Sequence, residues 1–248
     1  MRLRILSYNI CRGGAGREDR LIEVIGGAEA DIVVLQEATR PDVVTALARG
    51  AGFAQHGSRA GESLAFLSRE RVAEHAWHHP SGSRHAFLEI VPSGQPIRVF
   101  GLHLSAVHAA WTERRRVVEM RALLASIERH QDGLHVLTGD FNTLAPGEPL
   151  DVWALPPRLQ VLVWMSGGRI RWRTIQNVID AGYVDGFRSR HPGVAGLTFP
   201  TWDPHVRLDY VFLPEPFATR LITCDVLAPE ASRAASDHFP LLSEVEVG

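Results

Sequence analysis

The sequence predicts a single mixed domain, α/β or α+β, and three observations carry that prediction. Apolar strand patterns alternate with amphipathic helices over the first fifty residues. Strand-like runs broken by turn residues crowd residues 64–105. No repeat, low-complexity tract or linker divides residues 1–248. Strands and helices interleaved in this way bury their apolar faces against one another in layers. A chain of 248 residues is long enough to bury roughly three quarters of its unfolded surface in one core.

The first strand runs from Leu3 to Ile10, with the polar Asn9 at its end. Gly13-Gly14-Ala15-Gly16 then reads as a strand-to-helix turn, after which Leu21, Val24, Ile25 and Ala28 share one helix face. Asp31-Ile32-Val33-Val34-Leu35 is continuously apolar after its first residue, the pattern of a strand covered on both faces. It ends at Gln36-Glu37. A second helix around Val43 to Ala48 stops at Gly50-Ala51-Gly52. Leu64–Leu67, Ala86–Val91 and Arg98–Leu104, separated by Pro80-Ser81-Gly82-Ser83 and Pro92-Ser93-Gly94, predict an antiparallel meander.

Thr112 to His130 is the clearest helix, with Val117, Met120, Leu124 and Ile127 at helical spacing and Thr112 placed to cap it. Leu134–Leu137 is another buried strand, ending at Gly139-Asp140-Phe141-Asn142. Leu144 to about Arg173 is irregular and rich in Pro and Gly, which predicts an insertion or long surface loop. A helix near Ile175–Ala181 leads to Phe187, and the last strands are Leu208–Leu213 and Leu241–Val247.

The bulk numbers narrow the function classes. With 26 basic and 28 acidic residues the formal charge is 26 − 28 = −2, so no global positive field draws in a polyanion. Any such partner must meet a local patch. Every basic residue is Arg, which codon bias in a GC-rich genome explains more simply than selection for phosphate recognition. Two cysteines, Cys11 and Cys224, are too few for a disulfide framework. The chain has no signal pattern and no apolar run of about 18 residues, so neither secretion nor membrane insertion is expected. The expectation is a cytoplasmic protein, and nothing in the sequence calls for an obligate protein partner.

Polar residues recur at the carboxyl ends of apolar strands: Asn9, Glu37, His103, Asp140 with Asn142, and Asp237 with His238. Strand ends that face one way make a rim on which scattered residues converge. Each residue alone has an ordinary explanation: a solvated acid for Glu37, an Asx-turn for Asp140 and Asn142, a half-buried histidine for His103. Their joint occurrence favours a site. Hard oxygen donors without cysteine suit Mg²⁺ or Mn²⁺ better than tetrahedral zinc.

Six stretches, Ser7-Tyr8-Asn9-Ile10, Leu35-Gln36-Glu37, Gly101-Leu102-His103-Leu104, Gly139-Asp140-Phe141-Asn142, Arg207-Leu208-Asp209-Tyr210 and Ser236-Asp237-His238-Phe239-Pro240, stand in one order over residues 7–240. Together they resemble the successive motifs of the endonuclease/exonuclease/phosphatase superfamily. The resemblance implies an α+β, four-layer α/β/β/α sandwich of two packed mixed sheets flanked by helices, with the site at one end. It implies Glu37 as the principal ligand of Mg²⁺ or Mn²⁺, with Asn9 and Asp237 beside or behind it. Asp140 would orient and help deprotonate the attacking water, and Asn142 and His103 would hydrogen-bond phosphate oxygens. His238, held by Asp209, would be the base or a phosphate-binding cation; which of Asp140 and His238 takes the proton stays open.

The substrate is less legible. The chain departs from the abasic-site branch of that superfamily, reading Leu35-Gln36-Glu37-Ala38-Thr39-Arg40 where the branch places Lys after Leu-Gln-Glu-Thr. Asn9-Ile10-Cys11-Arg12-Gly13-Gly14 looks more like the bacterial phosphodiesterase-like group. Arg169-Ile170-Arg171-Trp172-Arg173 is either a grip on a phosphate backbone or, more simply, an amphipathic surface strand. Thr198-Phe199-Pro200-Thr201-Trp202 is either an aromatic wall of the substrate cleft, Trp202 included, or a segment packed in the core. His75, His78, His79 and His85 lack the regular spacing of a zinc site. A nuclease or phosphodiesterase acting on nucleic acid or nucleotide esters is the leading expectation. A phosphatase or phosphodiesterase for small molecules or lipid headgroups comes second, and a silent binding module of the same fold third.

Overall fold

A computed structural model describes residues 1–106, 110–130, 132–148, 152–155, 157, 160, 161, 164 and 172–248. The chain opens with β1 (Arg2–Asn9), α1 (Glu18–Gly27), β2 (Ile32–Gln36) and α2 (Pro41–Gly50). Strands β3 (Gln55–Gly57), β4 (Ala65–Ser68), β5 (Val72–His78), β6 (Phe87–Pro92) and β7 (Arg98–His103) follow. Next come α3 (Ala110–Ile127), β8 (His135–Asp140), α4 (Arg173–Asp180), β9 (Tyr183–Asp185) and α5 (Gly186–Arg190). The chain closes with β10 (Asp209–Pro214), β11 (Leu221–Val226), α6 (Ser232–Ala235) and β12 (Leu241–Glu246).

The strands form two six-stranded sheets, ordered β11-β12-β1-β2-β4-β3 and β5-β6-β7-β8-β10-β9. Each sheet is mixed. β1 and β2 are parallel, as are β7 and β8, and the other pairings are antiparallel. Helices α1 and α3 make the two parallel connections, as chain geometry requires of a crossover. Three apolar interfaces then stack the layers. Ile5 and Val34 of the first sheet meet Val99, Val136 and Val211 of the second in a core between the sheets. Leu21, Val24 and Val44 of α1 and α2 cover the outer face of the first sheet, against Leu6, Val33 and Leu35. Met120, Leu123, Ile175 and Val178 of α3 and α4 cover the second, against Phe100, Leu137 and Phe212. The expected four-layer sandwich is the observed one.

Two glycines set how closely these parts approach. A Cβ on Gly101 would sit 2.5 Å from Val34 Cγ1 across the sheet interface, and one on Gly139, at φ 150°, would lie 2.0 Å from the Leu102 carbonyl oxygen. Both stand within motifs that carry site residues.

Some sequence expectations need correction. The 64–67 run is not part of a meander with 86–91 and 98–104: β4 pairs with β2 and β3 in the first sheet, whereas β5-β6-β7 form the meander in the second. β4 is apolar enough to be buried in either sheet, so local pattern alone cannot choose. α3 starts at Ala110, which puts Thr112 inside its first turn rather than at its cap. Of the 169–173 stretch, Arg169, Ile170 and Arg171 lie outside the described residues, Trp172 precedes α4 and Arg173 begins it.

Candidate active site

Topology brings the motif residues to one edge of the sandwich. Asn9 is the last residue of β1, Glu37 follows β2, His103 ends β7 and Asp140 ends β8. All four therefore leave parallel strands at the same end. β10 runs antiparallel to β8 with Asp209 opposite Asp140, so the start of β10 falls on that edge too. β12 likewise runs antiparallel to β1, beginning at Leu241 opposite Ser7. Asp237 and His238 thus reach the edge from in front of a strand, not from the carboxyl end of one as the sequence suggests.

Asn9 joins the two sheets. Its Nδ2 donates to Asp140 Oδ2 at 3.0 Å and to Glu37 Oε1 at 3.4 Å, while its Oδ1 accepts from the Cys11 N–H at 2.9 Å. Oriented this way, Asn9 offers the carboxylates a donor rather than an oxygen. Glu37 sits at φ 54°, a left-handed conformation that costs a non-glycine residue free energy. Surrounding hydrogen bonds hold it there: its Oε2 accepts from the Arg12 N–H at 2.6 Å, and its carbonyl accepts from Gly13 and Thr39. Asn142 is also left-handed, at φ 52°; its N–H donates to Asp140 Oδ1 at 2.8 Å and its Nδ2 to the Leu104 carbonyl at 3.0 Å. The Asx-turn and the site are the same feature.

Asp209 Oδ2 accepts from His238 Nδ1 at 2.9 Å, and the ring's other nitrogen, Nε2, faces Asp140 Oδ2 at 3.7 Å. The three side chains are buried. Burial pushes the Asp140 carboxyl up from the ordinary aspartate range, and the neighbouring His238 and His103 pull it part of the way back. Burial alone would push His238 down; the Asp209 and Asp140 carboxylates outweigh it and push its pKa up to about 10. A folded-state pKa raised above the unfolded value stabilises the cationic form. The His238–Asp209 contribution to stability is therefore fully present below about pH 6.5 and lost as pH rises through about 10. Thermal melts of the metal-free protein from about pH 6 to about pH 10 should show this loss in the wild type and much less of it in Asp209→Asn. Equal pH dependence in both would contradict the pairing.

The neighbouring loops are fastened by groups that motif reading does not single out. Ser236 Oγ donates to the Asn9 carbonyl at 2.6 Å, Thr201 Oγ1 to the Ser236 carbonyl at 2.8 Å, and the Thr201 N–H to the Asp237 carbonyl at 2.9 Å. The Arg17 guanidinium donates to the carbonyls of Ile10, Cys11 and Ala235, tying the loop after β1 to the loop before β12. Under the other sheet, buried Glu113 accepts from Thr143 Oγ1 and Thr174 Oγ1, Arg116 donates to Glu113 and the Ser105 carbonyl, and Glu119 accepts from Ser105. This network clamps the segments just after His103 and Asn142 onto α3. A signal for it exists in the sequence: Glu113, Arg116 and Glu119 repeat every third residue beside the apolar Val117 and Met120.

The remaining candidates fall at different distances from this centre. His103 Nε2 lies 4.0 Å from Asp140 Oδ2, and its Nδ1 shares a hydrogen bond with Ser63 Oγ at 3.1 Å. Asp237 is half-buried beside Ser236. Phe199 packs on the His238 ring at 4.8 Å, and Trp202, 64% exposed, stands edge-on to Phe199 at 6.4 Å. The four histidines of residues 75–85 have separate partners: His75 packs on Phe66 and Trp77, His78 pairs with Glu89, His79 with Glu62, and His85 stacks on His103.

Two donor sets compete for a divalent cation. Ligand-capable atoms of Asp140, Asp209 and His238 lie within 4.8 Å of one another. Asp209 Oδ2 is engaged by His238 Nδ1, although its buried Oδ1 has no hydrogen-bond partner, and a cationic imidazole repels a metal. Glu37 is the better fit. Its Oε1 has only the long Asn9 contact, its backbone is held in a strained conformation that aims it, and Asp237 adds negative charge nearby. Burial and the carboxylates of Asp237 and Glu37 together push the Cys11 thiol up. Hard carboxylate oxygens with incomplete hydrogen bonding are what Mg²⁺ or Mn²⁺ requires.

Similar folds are found among solved structures, at identities that establish the fold alone. The 3′ phosphatase NExo from Neisseria, bound to a product DNA hairpin, aligns at TM-score 0.74 and 20% identity, covering 98% of this chain and 99% of that one. The 3′-5′ exonuclease NExo from Neisseria meningitidis gives TM-score 0.74 and 20% identity over 98% and 100%. An AP endonuclease from Archaeoglobus fulgidus gives 0.74 and 18% over 99% and 100%. No curated protein matches the chain in sequence. The Endonuclease/Exonuclease/phosphatase family pattern matches residues 6–238, which takes in five of the six motifs and the sixth as far as His238, and the chain belongs to that family.

Proposed function

We propose that the protein is a divalent-metal-dependent phosphoester hydrolase, a nuclease or phosphodiesterase that attacks phosphorus with water. The observation that supports this most is the buried line Asp209–His238–Asp140, set beside the Glu37 carboxylate on a single edge. Mg²⁺ or Mn²⁺, held by Glu37 with Asp237 nearby, would supply Lewis-acid charge at the phosphoryl oxygens.

The chain's own residues divide the remaining work. Asp209 fixes the His238 ring through Nδ1, so that Nε2 is directed at the site. With its pKa pushed up to about 10, His238 is already protonated at neutral pH and serves as a cation for a non-bridging phosphate oxygen. Asp140, whose pKa is raised and whose Oδ1 is held by the Asn142 N–H, takes the proton of the attacking water. As the water oxygen bonds to phosphorus, the bond to the leaving oxygen breaks in line and solvent protonates the departing group. The second N–H of Asn142 and the His103 ring are placed to donate to other phosphate oxygens. Trp202 and Phe199 wall the cleft on the His238 side.

The DNA hairpin bound by one structural neighbour supports a nucleic-acid substrate over a small phosphomonoester. Bis(p-nitrophenyl) phosphate should be hydrolysed with Mg²⁺ or Mn²⁺ and left intact in EDTA. Full turnover in EDTA would remove the metal from this reading. Cleavage of plasmid DNA that weakens steeply with salt would place nucleic acid ahead of lipid headgroups and small esters.

A further inference from the structure

We propose that Arg84, His85 and Arg115 form a second anion subsite beside His103, one that holds a backbone phosphate of a nucleic-acid strand next to the scissile phosphate. The subsite rests on the hydrolase reading and extends it to the substrate. The His85 ring stacks on the His103 ring with centroids 5.9 Å apart and planes 27° apart, and His103 in turn lies 4.0 Å from Asp140. The hairpin carrying His85 is seated on α3: a Cβ on Gly82 would touch Val118 Cγ1 at 3.4 Å, and Arg115 stands one turn before Val118 on that exposed face. Arg84 is exposed as well.

The surrounding charge points the same way. Burial lowers the His85 pKa, and His103, Arg84 and Arg115 all push it in that direction. Among the described residues Glu119 is the acid that opposes them, and both of its oxygens are committed to Ser105. Arg84 and Arg115 make no ion pair or side-chain hydrogen bond with any described residue. The buried or half-buried Arg98, Arg116, Arg188 and Arg207, by contrast, are each matched to an acid. Two unmatched guanidiniums flanking stacked imidazoles form a local positive patch in a chain of net charge −2. A single free phosphomonoester at the scissile position would leave this patch unmatched, whereas a strand carries its next phosphate into it.

The test is fluorescence anisotropy of a labelled single-stranded oligonucleotide of about 12 bases in EDTA, over a range of salt. It compares wild type, the double variant Arg84→Gln/Arg115→Gln and a control, Arg190→Gln/Arg220→Gln. The subsite variant should bind roughly tenfold more weakly, with the slope of log K against log salt reduced by about 1. The control should match wild type. Unchanged affinity and slope in a subsite variant of native circular dichroism overturns the subsite, while wild-type hydrolysis of bis(p-nitrophenyl) phosphate would leave the hydrolase reading standing. A wild type that hydrolyses no phosphoester removes both.

Discussion

Asp140→Asn is expected to lower phosphodiester turnover by at least ~10²-fold without lowering the melting temperature. The two halves of that outcome share one cause. Asp140 is buried at the meeting point of the two sheets, and burial raises its pKa, so keeping it ionised near neutral pH works against folding. The amide is isosteric, can still accept from the Asn142 N–H and carries no charge to desolvate, which offsets the loss of the hydrogen bond that Asn9 Nδ2 gives to Oδ2. It cannot take a proton from water. Loss of activity with unchanged or improved stability is the pattern of a site maintained at the expense of the fold. Rates on bis(p-nitrophenyl) phosphate and a thermal melt measure the two halves. A variant retaining most of its rate would assign the proton elsewhere.

The largest stability effect is expected at Arg207, outside the reacting centre. Its guanidinium is 1% exposed and bonded to Glu148 and Asp185, and it lies over the Tyr210 ring at 4.4 Å. Burial pulls its pKa down, but Tyr210, Asp185 and Glu148 outweigh that and raise it. Arg207→Ala leaves two nearly buried carboxylates sharing only Arg188, which donates to Glu148 at 2.8 Å. Breaking such a network by removing one partner costs about 3–5 kcal/mol, readable in urea unfolding at neutral pH. Because Arg207 leads directly into Asp209, turnover should fall as well once the fold loosens. A loss below about 1 kcal/mol would mean that the acids find other partners.

The sequence reveals the site more clearly than the sheets around it. β1, β2, β8 and β10 are short apolar runs covered on both faces, so their ends are visible, and it is those ends that carry Asn9, Glu37, Asp140 and Asp209. β5 resists reading because Val72–His78 is largely polar and half exposed. β9 has three residues, and β11 is an edge strand whose mixed face shows no clean alternation. The sheet that β4 joins is fixed by long-range pairing with β2, which no local pattern records. Arg17 escapes notice for another reason. An arginine looks the same in sequence whether solvated or enclosed, and only the fold shows that this one bridges segments 218 residues apart.

The proposed chemistry depends above all on where the cation binds, and isothermal titration with Mn²⁺ locates it directly. Wild type and Asp209→Asn should each bind the ion, and Glu37→Gln should not, because Glu37 holds it while Asp209 only orients His238. Binding that survives Glu37→Gln and disappears in Asp209→Asn would put the metal on the Asp140, Asp209 and His238 group and contradict this division of labour.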